Sequence, residues 1–454
     1  MGYLKTLRDD SEIISNKKLI ILCYPLDWHW ALSFEFLINQ PNYTREYELL
    51  DLSSVGEFGF RKVLRVITGG TKLKKMIIKN LKNDDIKIYR LKYKFIHRLG
   101  NQKKLLKASN SSIVDTGVAA EAFNTIVEKA QTLKVDIKSN LKIVSSEIYA
   151  RDEMKIALSK LNPRNYSQIF TVNGRFTKNA TVVTWAKKNK IKLNLIEFGS
   201  SKTKFEVFGD TPVSISTFEE KVSSFWENSD PKSRETLAHN FLNELIQKKG
   251  ASDLNWRKFM KSGEVPYIGN KKICTYYTST EAEYVGVGDP IPDGNFKNQV
   301  EAFRALVNIL DQREWHIYLR MHPNNPTTNS QGAEAFLWEE FKSNDHITIV
   351  KPDSSIDSLA LGEKSDLIAT YGSTIAMELV SREIQNVITL GPALWNNLLP
   401  QHFLPNTSQL KNYILSDTPT IKVSQIYPWA YFISNFGTEF KSIRFIKQKS
   451  RWSF

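Results

Sequence analysis

Unbroken apolar runs bounded by loop residues recur along this chain. The first, Lys18 to Tyr24, reads Lys-Leu-Ile-Ile-Leu-Cys-Tyr, the pattern of a strand covered on both faces. It ends at Pro25-Leu26-Asp27-Trp28-His29-Trp30, after which Ala31 to Asn39 reads as a helix. Tyr47 to Leu52, Gln168 to Val172 and Leu193 to Phe198 are further predicted strands, and helical periodicity falls at Val118 to Leu133 and Ala180 to Asn189. This alternation predicts a three-layer α/β domain carrying a long basic insertion. From about Pro212 to Val265 the pattern turns helical and polar, with Lys232 to Lys249 the clearest helix and Gly250, Gly263 and Pro266 as punctuation.

Beyond it the alternation becomes regular. Strands are predicted at Lys272 to Thr278, Trp315 to Arg320, Ile347 to Val350, Asp366 to Thr370 and Asn386 to Leu390. Helices are predicted between them at Phe296 to Leu310, Ala333 to Phe341, Ile356 to Gly362 and Thr374 to Arg382. Such a series describes a parallel sheet with helices on its faces. The overall class is therefore α/β, and 454 residues exceed the usual length of one domain.

Composition changes this picture in two places. Hydrophobic residues at 41% and charged residues at 24% fit a globular protein, and no run approaches the length of a membrane span. Met1 to Lys18 is too polar for a signal peptide, so a cytoplasmic location is expected. Cys23 and Cys274 are too far apart for a disulfide framework or a clustered-thiol site, and no metal spacing is present. The second change is charge. Between Arg61 and Lys107 stand 16 lysines and arginines against Asp84 and Asp85, a net charge equal to the +14 of the whole chain. Tyr89, Tyr93 and Phe95 are interleaved with these cations. Nucleic acid, an anionic membrane face, the pyrophosphate of a lipid-linked acceptor and a merely solvated surface all fit such a segment. A second basic and aromatic cluster runs from Lys441 through Arg444 and Arg451 to Phe454.

In an open parallel sheet, ligands bind outside the carboxyl ends of the strands, so the residues following each strand are the ones to read for chemistry. After the first strand of the regular series come Ser279, Thr280, Glu281, Ala282 and Glu283; after the second, His322 and Pro323; after the fourth, Tyr371, Gly372, Ser373 and Thr374; after the fifth, Gly391 and Pro392. Gly372-Ser373-Thr374 sits where a strand turns into a helix, so amides and two hydroxyls converge on a point suited to phosphate. Glu378, one turn on, is placed to accept hydrogen bonds from sugar hydroxyls. An ordinary helix cap by Ser373, with Glu378 as a first-turn acid, is the alternative. Arg320 and His322 flank another strand end, where they can share an anionic leaving group. A P-loop, a Gly-x-Gly-x-x-Gly turn and a Gly-x-Ser-x-Gly elbow are all missing from the sequence.

His322-Pro323, the stretch Ser365 to Glu378 and Val387 to Gly391 together resemble the donor domain of the GT-B glycosyltransferases that build bacterial capsule and other surface polysaccharides. The Ser279 to Glu283 turn is similar to that family's hydroxyl- and acid-bearing loop. Val172-Asn173-Gly174-Arg175 and Leu195-Ile196-Glu197-Phe198-Gly199 resemble an Asn-Gly-Arg and Glu-x-Gly pairing of the acceptor domain. The likeness covers roughly Gln168 to Gly391. It implies two Rossmann-like domains holding a nucleotide-sugar between them, no cofactor and no obligatory metal. A final helix returning to the first domain is also implied, at Pro428 to Phe436. The expected domains are then 1–265 on the acceptor side, with the insertion at about 61–107 and a helical connector at about 212–265; 266–425 for the donor; and 426–454 as C-terminal helix and tail.

On this reading the donor contacts are Thr280, Glu283, Arg320, His322, Tyr371, Ser373, Thr374 and Glu378, with Asn173 and Arg175 orienting the acceptor. Glu197 is the expected general base, and Asp27 and His29, after the first strand, are its competitors. Relatives with a His-Pro and a hydroxyl-rich turn include Kdo transferases, polysialyltransferases and CDP-glycerol polymerases, which favours a cytidine nucleotide. The expected acceptor is a glycan or lipid-linked glycan, with peripheral contact at an anionic membrane and no nucleic acid. A UDP-GlcNAc 2-epimerase, which shares the fold and a His-Pro-Asn segment, is the nearest alternative enzyme. A nucleic-acid-binding protein using Arg61 to Lys107 is the alternative from another class.

Overall fold

A computed structural model describes residues 17–55, 71–90, 121–122, 125–126, 129, 139–209, 215–247, 260–266, 269–279, 291–322, 338–416, 419–446 and 451–453. The chain divides into two compact units, one drawn from residues 1–108, 144–210 and 438–454, the other from 109–143 and 211–437.

The first unit is built on five parallel strands, β1 (Lys18–Leu22), β2 (Tyr47–Asp51), β3 (Ile88–Arg90), β4 (Gln168–Val172) and β5 (Lys192–Phe198), with β6 (Lys204–Phe208) antiparallel beside β5. Their order is β6-β5-β4-β1-β2-β3. β1 lies between β2 and β4, and Leu19 to Leu22 are wholly buried, which accounts for its unbroken apolar run. Helix α1 (Asp27–Ile38) begins one turn earlier than the sequence pattern predicts, with Leu26 extended before it and Asp27 as an acid in its first turn, where a negative charge complements the helix dipole.

The stretch predicted as a basic insertion is partly woven into the fold. Helix α2 (Lys72–Asn83) buries Leu73, Ile77, Ile78 and Leu81, and β3 pairs with β2. Thr71 caps α2 by accepting from the Lys74 amide at 3.2 Å. Lys74 itself points inward. Its ammonium meets the Asp51 carboxylate at 2.8 Å and Ser53 Oγ at 2.8 Å, with Asp51 and Lys74 both buried. Replacing Lys74 by methionine leaves the Asp51 carboxylate buried without its cation, and urea unfolding is expected to show a loss of about 3–5 kcal/mol.

The second unit holds five parallel strands, β7 (Lys272–Tyr277), β8 (Trp315–Arg320), β9 (Ile347–Val350), β10 (Leu367–Thr370) and β11 (Val387–Thr389), in the order β11-β10-β7-β8-β9. These are the five strands predicted from sequence. Helices α3 (Gln299–Ile309) and α4 (Ile375–Val380) lie among the predicted crossovers. The predicted helix at Ala333 to Phe341 falls largely outside the described residues, as does the one at Val118 to Leu133. Numbered along the chain, both parallel sheets run 5-4-1-2-3, the Rossmann-like order, so each has its switch point between the first and fourth strands.

The helical stretch read as a connector on the acceptor side belongs with the second unit. Helices Ile215–Glu227 and Pro231–Gln247 pack their aromatic rings on α5 (Tyr427–Asn435): Phe225 lies 5.1 Å from Tyr431, Trp226 5.8 Å from Tyr431 and Phe241 6.2 Å from Trp429. The sequence signal missed here is the aromatic content of α5, which needs an apolar face to cover it.

After α5 the chain returns to the first unit. β12 (Thr438–Glu439) pairs antiparallel with β6 and completes a seven-stranded sheet, and β13 (Arg444–Ile446) pairs with β14 (Arg451–Ser453). Between them lies a clasp. The wholly buried Glu35 carboxylate of α1 accepts the backbone amides of Lys441, Ser442 and Ile443 at 2.6, 2.9 and 2.5 Å. Burial pushes its pKa up, and the three amides pull against that shift.

Candidate functional site

In the first unit, chemistry collects at the carboxyl ends of β4 and β5. Asn173 follows β4 with a left-handed φ of 66°, and Gly174 with a φ of 84°. That turn lets Asn173 Oδ1 accept the Arg175 amide at 3.1 Å, while its side chain also hydrogen-bonds Glu197 near the end of β5. Glu197 is partly buried, and desolvation raises its pKa from 4.5 to about 7 against the opposing pull of the Arg175 charge and the Asn173 hydrogen bond. A carboxylate at this value is half ionised near neutrality and matched to proton transfer. Sequence reading named these three residues, and the structure brings them together.

The competing bases sit differently. His29 is 0% exposed, and neither ring nitrogen has a hydrogen-bond partner. Its ring lies 3.9 Å from Trp28 and 5.4 Å from Tyr24. Burial, with the Lys178 charge added, lowers its pKa to about 3. A neutral imidazole of that basicity, sealed from solvent, is a core histidine in this conformation. Asp27 is partly exposed, and its carboxylate accepts a hydrogen bond from the Thr71 hydroxyl.

One residue at this rim escaped sequence reading. Lys178, in the first turn of the helix Thr177–Lys188, is 2% exposed, sends its ammonium to Ser53 O at 3.3 Å and lies over the Tyr24 ring at 4.9 Å. Its position five residues after Asn173, among Thr177, Asn179 and Thr181, is the signal that the sequence offers.

In the second unit the rim forms around β7, the strand that stands between β10 and β8. Thr278 and Ser279 leave β7, and each ties down a neighbouring strand end. The His322 amide donates to Thr278 Oγ1 at 2.8 Å, and Ser279 Oγ donates to Tyr371 O at 2.6 Å. Gln299, wholly buried at the start of α3, locks the turn by accepting from the Ser279 amide at 2.9 Å and donating to its carbonyl at 3.2 Å. Tyr371 turns its hydroxyl to Phe296 O at 3.0 Å. The β10 turn depends on glycine: Gly372 has a φ of 83°, and a Cβ there would stand 2.4 Å from Pro392 O. The ends of β7, β8, β10 and β11 are thereby fixed against one another.

Ser373 and Thr374 lie in the turn between β10 and α4, Glu378 lies within α4, and His322 follows β8. Ser373, His322 and Glu378 are partly exposed and Thr374 is exposed. Thr374, not Ser373, is the cap residue of α4, and its hydroxyl makes no cap bond. Of the alternative reading, the Ser373 cap does not form, while Glu378 does stand as an acid in the first turn of α4. Burial and the neighbouring Arg320 charge lower the His322 pKa to about 4, so its ring is neutral at physiological pH and acts there as a hydrogen-bonding group rather than a cation.

Arg320 lies beneath the rim. It is 1% exposed, donates from Nε to Ser358 Oγ at 2.9 Å and from Nη1 to Lys351 O at 2.5 Å, and leaves Nη2 without a hydrogen-bond partner. Its guanidinium joins strand ends in the core, where burial lowers its pKa to about 10 and leaves it charged near neutrality. Arg320, expected to share an anionic leaving group with His322, stands here as a buried charge. Thr280 and Glu283 lie outside the described residues. Among the described residues no cluster of His, Cys, Asp and Glu could hold a metal ion, and no helix is long and apolar enough to cross a membrane.

No family model matches this chain, and no curated protein does. Among solved structures it is similar to KpsC, a beta Kdo 2,4 transferase of Thermosulfurimonas dismutans, at 12% identity over 59% of this chain and 80% of that one, with a TM-score of 0.36. A UDP-GlcNAc 2-epimerase of Methanocaldococcus jannaschii, solved with UDP-GlcNAc and UDP, gives 13% identity over 90% and 96% of the two chains and a TM-score of 0.28. The glycotransferase of kitacinnamycin gives 9% identity over 93% and 95%, with a TM-score of 0.24. At such scores the likenesses bring no activity or substrate to this chain, whose own residues show two Rossmann-like α/β units with chemistry at the carboxyl rims of their parallel strands.

Proposed function

We propose that the chain is a glycosyltransferase of the GT-B type that moves a sugar from a nucleotide-sugar donor to a growing surface glycan by a single inverting displacement. The observation that carries this reading is Glu197, a carboxyl group shifted to about 7 and held by Asn173 and Arg175 at the rim of a Rossmann-like sheet. In the reaction its carboxylate takes the proton of an acceptor hydroxyl as that oxygen attacks the anomeric carbon. The bond from that carbon to the nucleotide's phosphate oxygen breaks, and the nucleotide leaves with the electron pair. Asn173 and Arg175 orient the acceptor.

The second unit takes the donor. Ser373, Thr374 and the amides opening α4 face the phosphate, and neutral His322 donates a hydrogen bond to it. Arg320, from below, supplies a fixed positive charge. Glu378 accepts from sugar hydroxyls. A cytidine nucleotide is the favoured donor. Calorimetry with CMP, CDP, UDP and GDP tests the donor site: one of them binds, and Ser373→Ala or His322→Ala weakens it by about ten- to a hundredfold, in line with the loss of one hydrogen bond to a charged group. Folded protein that binds none of the four refutes the donor site. Epimerisation of UDP-GlcNAc in the absence of any acceptor would replace the transferase by a 2-epimerase.

A further inference from the structure

Helix α2 has two unlike faces. Leu73, Ile77, Ile78 and Leu81 pack into the core of the first unit. On the other side Lys72, Lys75, Lys79 and Lys82 are all exposed, with Met76 37% exposed among them. Their spacing of three, four and three residues puts the four ammonium groups in one stripe, about 15 Å long at 1.5 Å per residue. No carboxylate among the described residues pairs with any of the four. The acids nearest in sequence, Asp84 and Asp85, come after the helix, and Asp84 is engaged by the Tyr43 hydroxyl at 2.9 Å.

We infer that this face is a docking surface for an anionic membrane leaflet. Its chemistry decides between the partners that a cationic stripe can take. A nucleic-acid grip mixes arginines, which fork onto phosphates, with aromatic rings that stack on bases. The exposed residues of α2 are its four lysines, Met76 and Asn83, with no arginine and no aromatic ring among them. Lysine ammonium groups are point charges that need no fixed partner geometry, which suits mobile lipid headgroups. An exposed thioether at the middle of the stripe suits the boundary between headgroups and acyl chains. The inference rests on this surface alone and stands or falls apart from the transferase reading.

Flotation of the full chain tests it. Vesicles of phosphatidylcholine with one quarter phosphatidylglycerol are compared with vesicles of phosphatidylcholine alone. Wild type floats with the anionic vesicles and is released by salt, as expected of a charge-driven contact. Each lysine near an anionic leaflet changes partition by about fivefold, so the variant K72Q/K75Q/K79Q/K82Q loses two orders of magnitude or more. A control variant, K187Q/K188Q/K190Q/K192Q, removes the same charge from other exposed lysines of the first unit and floats like wild type. Circular dichroism confirms that both variants fold. Three outcomes overturn the proposal: equal flotation of wild type and the α2 variant, equal loss in both variants, or tighter binding of wild type to duplex DNA than to anionic vesicles at the same salt.

Discussion

Replacing Glu197 by glutamine is expected to lower turnover by about 10²- to 10⁴-fold, the usual range for loss of a general base, while calorimetry finds nucleotide affinity unchanged. The substitution keeps the shape and the hydrogen bond from Asn173 and removes only the group that takes a proton. Because the Glu197 pKa is raised to about 7, wild-type kcat/KM should climb through an inflection near pH 7 and level off above it. The variant should show no such limb. Stability should move the opposite way. A carboxyl whose folded pKa lies above its ordinary value of 4.5 contributes stability that is fully present below that value and is lost as pH rises through about 7. At pH 8 the variant should therefore melt higher than wild type while turning over far more slowly. If it turns over like wild type and Asp27→Asn does not, the base lies after β1.

Gly372→Ala is expected to unfold or distort the second unit. Two terms add: the left-handed φ of 83°, which costs a side chain about 1–2 kcal/mol, and the overlap with Pro392 O at 2.4 Å, which forces a backbone shift costing about 1–3 kcal/mol. Backbone cannot swing aside as a side chain can, so the turns after β10 and β11 must separate and carry Ser373 with them. Urea titration should show the loss of stability, and calorimetry a fall in nucleotide affinity beyond what the remaining folded fraction explains. Gly263→Ala is the control. Gly263 has a φ of 77° but nothing within 4 Å of its Cβ position, so it should show the conformational cost alone and leave nucleotide binding intact.

The regular second half of the chain was readable because its strands are buried on both faces and separated by helices of ordinary length, so apolar runs and loop residues alternate cleanly. The first half hid more. The strand Lys204–Phe208 mixes apolar and charged residues near the sheet margin, and the lysines of α2 break up the apolar spacing of Leu73, Ile77, Ile78 and Leu81. For the site, the Asn173, Arg175 and Glu197 trio was legible because each follows or ends a predicted strand. The orientation of Arg320 was not legible, since nothing local in the sequence tells whether a guanidinium at a strand end turns outward or finds Ser358 and the Lys351 carbonyl. The same holds for His29, whose burial depends on Trp28 and Tyr24 closing around it.

The clasp between Glu35 and residues 441–443 has a consequence for synthesis. A ribosome delivers α1 early and the three amides that receive its buried carboxylate some 400 residues later. At the elongation rates of about 5–20 residues per second, that interval lasts from about 20 to 80 seconds. During it the nascent first unit has an unfilled sheet margin beside β6 and a carboxylate that must stay hydrated. The second unit has every strand of its own sheet by residue 389, so it can close before the unit that precedes it. Nascent chains arrested at residue 437 should accordingly yield protease-resistant fragments from the second unit, with α1 still open to cleavage until the clasp residues emerge.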